Sequence, residues 1–140
     1  MKIAIAADHG GFEYKNEIIK HLSRYEVKDF GTFSEESCDY PEFAKKVALE
    51  VASGNYDRGI LICGTGIGMS ICANKVKGIR AALCSDKFSA KATREHNDSN
   101  ILCMGARVID LPLAIEITDI WLSTPFSNEE RHIRRIGMIE

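Results

Sequence analysis

A glycine-rich loop follows a cysteine at the end of an apolar run, and this pairing is the clearest chemical feature of the chain. Gly64, Gly66 and Gly68 come soon after the run GILIC, which ends in Cys63. Bare backbone N–H groups at a helix N-terminus form a pocket for an anion, and the same positive end favours a cysteine thiolate. A thiolate beside such a pocket suits nucleophilic attack or removal of a proton next to a carbonyl.

The spacing of this loop differs from that of known phosphate-binding loops. A dinucleotide loop would need its third glycine where Met69 stands, and a Walker loop would need a lysine at its fixed place. A low-molecular-weight phosphatase loop would need an arginine six positions after Cys63, which is again Met69. A tight turn with a buried, unreactive cysteine remains the structural alternative.

Composition predicts a globular protein of one domain, residues 1–140. The chain is 45% apolar and 27% charged, with a net charge of −2. A chain of this length buries roughly two-thirds of its unfolded surface, so it can build a core by itself. We expect no nucleic-acid partner, no targeting segment and no membrane span, because the charge is near neutral and the apolar runs are short.

The cysteine pattern argues against a metal site or a disulfide framework. The chain has five cysteines, an odd number, and no two form C-x-x-C. This usage fits a reducing cytoplasm, where we expect the protein to work. Three of the cysteines are expected to be small buried core residues: Cys72, Cys84 and Cys103.

Short apolar runs alternate with helical patterns along the whole chain. Because the strands are continuously apolar and helices separate them, they predict an α/β fold with a parallel sheet covered on both faces. Predicted strands are Lys2–Ala7, Glu26–Phe30, Gly59–Cys63, Arg80–Cys84 and Asn100–Met104. Predicted helices follow Gly11, span Phe43–Ala52, begin near Ile67, run from Asp86 to Glu95 and from Asp110 to Leu122, and span Asn128–Ile136.

Polar and glycine residues follow the predicted strands, where ligands bind in parallel sheets. With the segments AADHGG, DYP, ICGTGIGMSICANK, GIRAALC, REHNDSNIL and RHIRR, in this order, the chain resembles the type B ribose-5-phosphate isomerase family. That family includes allose-6-phosphate isomerases and subunits of galactose-6-phosphate isomerase. The resemblance implies a single-domain, Rossmann-like three-layer sandwich of about five parallel strands, which dimerises or forms tetramers and uses no metal or organic cofactor.

The resemblance also implies a role for each candidate residue. Cys63 matches the base that moves a proton between two sugar carbons, and another branch of the family has a glutamate where Ile67 stands. His96 matches the residue that opens the sugar ring, and Thr65 is expected to relay a proton. The implied enediolate-holding loop is Gly64, Thr65, Gly66, Ile67 and Gly68. The implied substrate-binding residues are Asp8, His9, Tyr40, Asn97, Arg107, Arg131 and Arg135.

Five of these polar residues also have a plain structural interpretation. Asp8 could cap a helix, His9 could be an exposed loop residue, and His96 near a helix C-terminus would be favourable for its interaction with the dipole alone. Arg131 and Arg135 are four residues apart and could grip one phosphate from a helix face, or they could be a solvated basic helix end.

Helix geometry predicts that one catalytic site needs two chains. A helix from Asp86 to Glu95 would run from the carboxyl edge of the sheet to the opposite edge, roughly 15 Å away. His96 would then lie far from Cys63 of its own chain. We therefore expect a homodimer with shared sites, in which the helix at about 128–136 contacts the partner subunit.

The expected activity is the interconversion of ribose 5-phosphate and ribulose 5-phosphate through an enediolate. Three alternatives stay open at this point. The substrate could be a six-carbon sugar phosphate, the chain could be one subunit of a heteromeric galactose-6-phosphate isomerase, or it could be a non-catalytic nucleotide-binding module.

Overall fold

A five-stranded parallel sheet forms the centre of the molecule, as the apolar runs predicted. The computed structural model describes residues 1–139. The strand order is β2-β1-β3-β5-β4, and every pairing is parallel. The strands are β1 (Lys2–Ala7), β2 (Glu26–Asp29), β3 (Arg58–Cys63), β4 (Ala81–Leu83) and β5 (Ile101–Gly105).

Helices cover both faces of this sheet, so the Rossmann-like three-layer sandwich is confirmed. The helix bounds are α1 (Phe12–His21), α2 (Tyr40–Ala52), α3 (Ile67–Ala73), α4 (Lys87–Asn97), α5 (Leu111–Ser123) and α6 (Glu130–Gly137). In the part of the chain that the structure describes, no helix is both long and apolar enough to cross a membrane.

Alternation along the central strands divides the core into two layers. In β3, Ile60 and Ile62 pack with α1 and α5, whereas Leu61 and Cys63 pack with α2 and α3. The first layer includes Trp121, which is fully buried and donates its indole N–H to Ser99 Oγ at 2.9 Å. Cys63 is therefore on the same sheet face as the helix α3 that follows it.

From β1 the chain adds β2 on one side of the sheet, and it then adds β3 on the other side. The carboxyl ends of β1 and β3 therefore define a crevice at the point where the order of strands switches. Ala7 pairs with Ile62, and the backbone N–H of Asp8 donates to the Ile62 carbonyl at 3.2 Å. The chain after β1 passes so close to β3 that a Cβ on Gly11 would lie 2.5 Å from the Ile62 oxygen. Asp8 and Cys63 are thereby brought to the same opening, where ligands bind in such sheets.

Candidate active site

The Cys63 thiol lies at the carboxyl end of β3 and is met by the backbone of the following loop. Its side chain is buried, and the N–H of Gly66 donates to Sγ at 3.1 Å. Gly66 has φ +77°, and a Cβ there would lie 2.8 Å from the backbone carbon of Met104. This position therefore needs glycine for both conformation and space, which keeps a backbone donor aimed at the sulfur.

The loop after β5 holds the cysteine loop from the side. Ala106 donates its N–H to the Cys63 carbonyl and Arg107 donates to the Gly64 carbonyl, both at 2.9 Å. A Cβ on Gly105 would lie 2.5 Å from the Thr65 carbonyl, so the two loops pack backbone to backbone. The loop that carries the thiol is thus positioned by main-chain contacts.

One open cavity of about 450 Å³ collects most of the candidates at this edge. The Tyr40 ring packs directly on Gly68, because a Cβ on that glycine would lie 2.3 Å from the ring. Arg107 lies beside Gly64, with its Cδ 3.4 Å from where a Cβ would be. We call this the cysteine cavity; its lining is Asp8, Tyr40, Cys63, Gly64, Thr65, Ile67, Gly68 and Ile71.

Asp8 and His9, which follow β1, each hold a loop. Asp8 Oδ1 accepts the N–H of Gly10 at 2.9 Å and that of Gly11 at 3.3 Å in the turn before α1, whose N-cap is Gly11, so Asp8 stabilises this turn and is not the cap of the helix. His9 Nδ1 accepts the backbone N–H of Cys38 at 3.2 Å, which leaves Nε2 as the position for its proton when the ring is neutral. Asp8 also lines the cysteine cavity.

The remaining candidates line a second cavity, of about 500 Å³, which shares no lining residue with the first. We call it the histidine cavity; its lining is His96, Asn97, Arg131, His132, Arg135, Ile136 and Ile139. Arg80, just before β4, donates through its guanidinium to the carbonyls of Asn97 at 2.9 Å and Asp98 at 3.0 Å. The end of α4 is thus held at the amino edge of the sheet, opposite Cys63.

This arrangement divides the expected phosphate-binding arginines within one chain. Arg107 lies with the cysteine loop, whereas Arg131 and Arg135 line the histidine cavity. The Arg131 guanidinium forms an ion pair with Glu129. The three arginines therefore cannot converge on one phosphate inside a single chain.

His132 is a site residue that sequence reasoning missed. It is buried, and its ring lies on that of His96 with centroids 4.5 Å apart and an interplanar angle of 38°. Burial, together with the neighbouring Arg131, lowers the pKa of His132 below its ordinary value of 6.5. The segment RHIRR contained this residue, but the spacing argument selected only the arginines.

The other cysteines divide into buried and half-buried thiols. Burial raises the pKa of Cys84 to about 12 and also raises that of Cys103, so both remain protonated core residues. The expectation of a buried residue was wrong for Cys72, which is half-buried, with its sulfur 3.7 Å from the Pro41 carbonyl. Cys63 differs from the two core thiols because a backbone N–H points at its sulfur.

Known proteins share both this fold and this order of motifs. The sequence model of the Ribose/Galactose Isomerase family matches residues 3–139, and the chain belongs to that family. Ribose-5-phosphate isomerase B of Escherichia coli is 51% identical over 99% of this chain and 93% of its own. D-erythrulose-4-phosphate isomerase of Pectobacterium atrosepticum is 41% identical over 100% of this chain and 95% of its own. The solved structure of Clostridium thermocellum ribose-5-phosphate isomerase B has a TM-score of 0.97 and 55% identity, covering 99% of this chain and 95% of that one.

Proposed function

We propose that this protein is an aldose–ketose isomerase that interconverts ribose 5-phosphate and ribulose 5-phosphate in the cytoplasm. The observation that carries the proposal is the Cys63 thiol, which accepts the Gly66 N–H inside a cavity also lined by Asp8 and Thr65. Relatives from two bacteria are named as isomerases of the same sugar phosphate, and they align with almost the whole chain. Five unpaired cysteines fit a reducing compartment.

The isomerisation itself moves one proton between neighbouring carbons. The Cys63 thiolate removes the C2 proton of the open-chain aldose, and the released electron pair forms the C1=C2 bond while O1 becomes an oxyanion. Backbone N–H groups of the glycine loop stabilise this oxyanion as charge develops. Thr65 relays the O2 proton to O1, the C2 carbonyl forms, and the thiol returns its proton to C1.

Ring opening precedes this step for the cyclic aldose. The C1–O4 bond breaks with its electron pair going to O4, and one proton moves from O1 to O4. The imidazole of His96 can accept the proton from O1 and donate a proton to O4, while Asn97 holds sugar hydroxyls. His96 must come from the partner subunit, because it lies at the opposite sheet edge from Cys63 of its own chain.

A homodimer completes the site in this proposal. The cysteine cavity of one subunit faces the histidine cavity of the other, so that Arg107 from one chain and Arg131 and Arg135 from its partner surround the phosphate. Large apolar side chains exposed on α3, β4 and α4 provide a surface for the second copy: Ile67, Ile71, Leu83 and Phe88. Exposed apolar residues of and just beyond α6 extend it: Ile133, Met138 and Ile139.

Of the alternatives, only the choice of sugar keeps a specific argument in its favour. The relative named for D-erythrulose 4-phosphate indicates that chain length of the sugar varies among similar proteins. A heteromeric galactose-6-phosphate isomerase is less favoured, because one chain here carries Cys63, His96 and all three arginines. The nucleotide-binding alternative has no support from the relatives reported above.

The test is turnover by the purified protein alone, with ribose 5-phosphate and allose 6-phosphate assayed side by side. Wild-type protein should isomerise the five-carbon sugar faster. Cys63→Ala should lower kcat by about a thousandfold or more while leaving substrate binding intact, because it removes only the base. Cys72→Ala, which removes a half-buried thiol outside the cavity, is the matched control and should keep wild-type turnover. Full activity in Cys63→Ala would refute the assignment of the base.

A further inference from the structure

A chain of contacts runs from the backbone before α6 to the imidazole of His96. The Glu129 N–H donates to Ser127 Oγ at 3.2 Å, and Ser127 Oγ lies 2.7 Å from Nδ1 of His132. The ring of His132 then packs on the ring of His96, with 4.5 Å between centroids. Ser127 is itself attached to α4, because its N–H donates to the Glu95 carbonyl at 3.2 Å.

The Ser127 hydroxyl anchors the His132 ring through Nδ1. Ser127 Oγ accepts a hydrogen bond from the Glu129 N–H and still has one proton and one lone pair. It can therefore pair with Nδ1 of His132 in either tautomer of the ring. In both cases the 2.7 Å contact ties one ring nitrogen of His132 to the segment before α6.

The charges around His132 keep it neutral near pH 7. Two cationic groups from α6, Arg131 and Arg135, and the imidazole of His96 from α4 disfavour a further positive charge, and only Glu129 opposes them. Burial acts in the same direction as the cations and is the largest cause of the lowered pKa. Protonation of His132 would place another charge in a cavity that already holds two guanidinium groups.

We propose that His132 is a positioning residue for His96: Ser127 holds the His132 ring in one orientation, and that ring fixes the imidazole that opens the sugar. The inference rests on the proposed role of His96. Rotation of the His96 ring is restricted where the two rings pack, so its nitrogens stay aimed at O1 and O4 of the bound sugar. His132 needs no contact with the substrate in this role.

The decisive experiment separates ring opening from the chemistry at C1 and C2. Conversion of cyclic ribose 5-phosphate needs His96, whereas exchange of the C1 proton of open-chain ribulose 5-phosphate with D₂O needs only Cys63 and its loop. His132→Ala should lower kcat for ribose 5-phosphate by roughly ten- to a hundredfold, as misplaced catalytic groups do, with KM changed less than about twofold. Proton exchange from ribulose 5-phosphate should keep its wild-type rate.

Further variants separate positioning from simple structural damage. Ser127→Ala keeps the His132 ring but removes its hydrogen bond, so it should lower ribose 5-phosphate turnover in the same direction and less. In a His96→Asn background, His132→Ala should have little further effect, because its partner is already gone. Matched controls are Ser123→Ala, an exposed helical serine, and His21→Gln, an exposed histidine paired with Asp119.

Each result supports or overturns the inference. Unchanged turnover in both His132→Ala and Ser127→Ala would overturn it, as would equal losses in the two assays or a loss confined to KM. An undiminished effect of His132→Ala in the His96→Asn background would also overturn it. Failure of the proposed function looks different: wild-type protein would not convert ribose 5-phosphate, or His96→Asn alone would keep full turnover.

Discussion

The cysteine cavity is held together mainly by backbone contacts, whereas the histidine cavity is held together mainly by side-chain contacts. Around Cys63, backbone N–H groups, carbonyls and glycines make the close contacts, and the loops after β3 and β5 support each other through main-chain hydrogen bonds. Around His96, the close contacts are made by side chains from α4, α6 and the segment between α5 and α6, through ring packing and an ion pair. Main-chain contacts thus hold the thiol proposed as the base, whereas side chains hold the histidine proposed to come from a second subunit.

Mixing two inactive variants would test whether the two cavities work together across subunits. Cys63→Ala and His96→Asn homodimers should each be nearly inactive. After unfolding and refolding together, random pairing gives mixed dimers with one intact site, so activity should return to about a quarter of wild-type. The measurement is ribose 5-phosphate turnover before and after mixing. Continued inactivity, with mixed dimers demonstrated by native mass spectrometry, would contradict the shared site.

Gly66→Ala tests the backbone-built cavity. A side chain there is strained at φ +77° and meets the Met104 backbone, so the loop must shift and the donor to Cys63 is lost. Because the displaced loop would also misplace the backbone N–H groups proposed to stabilise the oxyanion, kcat should fall by about a hundredfold or more. Gly54→Ala, at another positive φ but with open space around it, is the control for strain alone. Near-normal kcat in Gly66→Ala would show that this donor is dispensable.

Arg94→Met tests how far the histidine cavity depends on side chains. Buried Arg94 donates to the Ser99 carbonyl at 2.6 Å and to the Thr124 carbonyl at 3.1 Å, which ties the end of α4 to the end of α5. Its loss should reduce the free energy of unfolding by about 3 kcal/mol, measured by urea denaturation. Lys91→Met, an exposed residue on the same helix, should change it little.

The smallest expected effect is a decrease in the free energy of unfolding at acidic pH. The folded protein resists protonation of His132, whereas the unfolded chain takes up that proton at about pH 6.5. The unfolded state therefore binds more protons below this pH, and stability should fall as the pH drops through and below 6.5. His132→Phe should flatten this part of the stability curve. Unfolding free energies measured between pH 5 and 8 would reveal an unchanged slope if the histidine does not contribute.

The strands could be predicted closely because buried parallel strands are continuous apolar runs. The residues at which helices and strands begin and end were harder to predict. Helix α2 begins at Tyr40, ahead of the predicted Phe43, since Pro41 is well suited to a first helical turn although it is not part of the apolar face. Strand β4 is shorter than predicted because it lies at the sheet edge, where only β5 pairs with it.

The two cavities also differed in how far the sequence alone could predict them. Cys63 and its glycines are adjacent in sequence, so the sequence alone could predict a thiol beside a loop of backbone N–H groups. His132 packs on a residue 36 positions earlier, and its ring is held by Ser127 in an irregular segment. Such a contact leaves no local pattern, and it emerges only when α4 and α6 are placed side by side.

The lining of the cysteine cavity has a practical consequence for anyone wishing to retarget the enzyme toward longer or shorter sugars. Gly66 has no room for a side chain beside the Met104 backbone, so a mutational library that varies it would displace the loop. Tyr40, Ile67 and Ile71 each present a replaceable side chain to the same space. Diversity concentrated on those three positions would sample substrate size while sparing the scaffold.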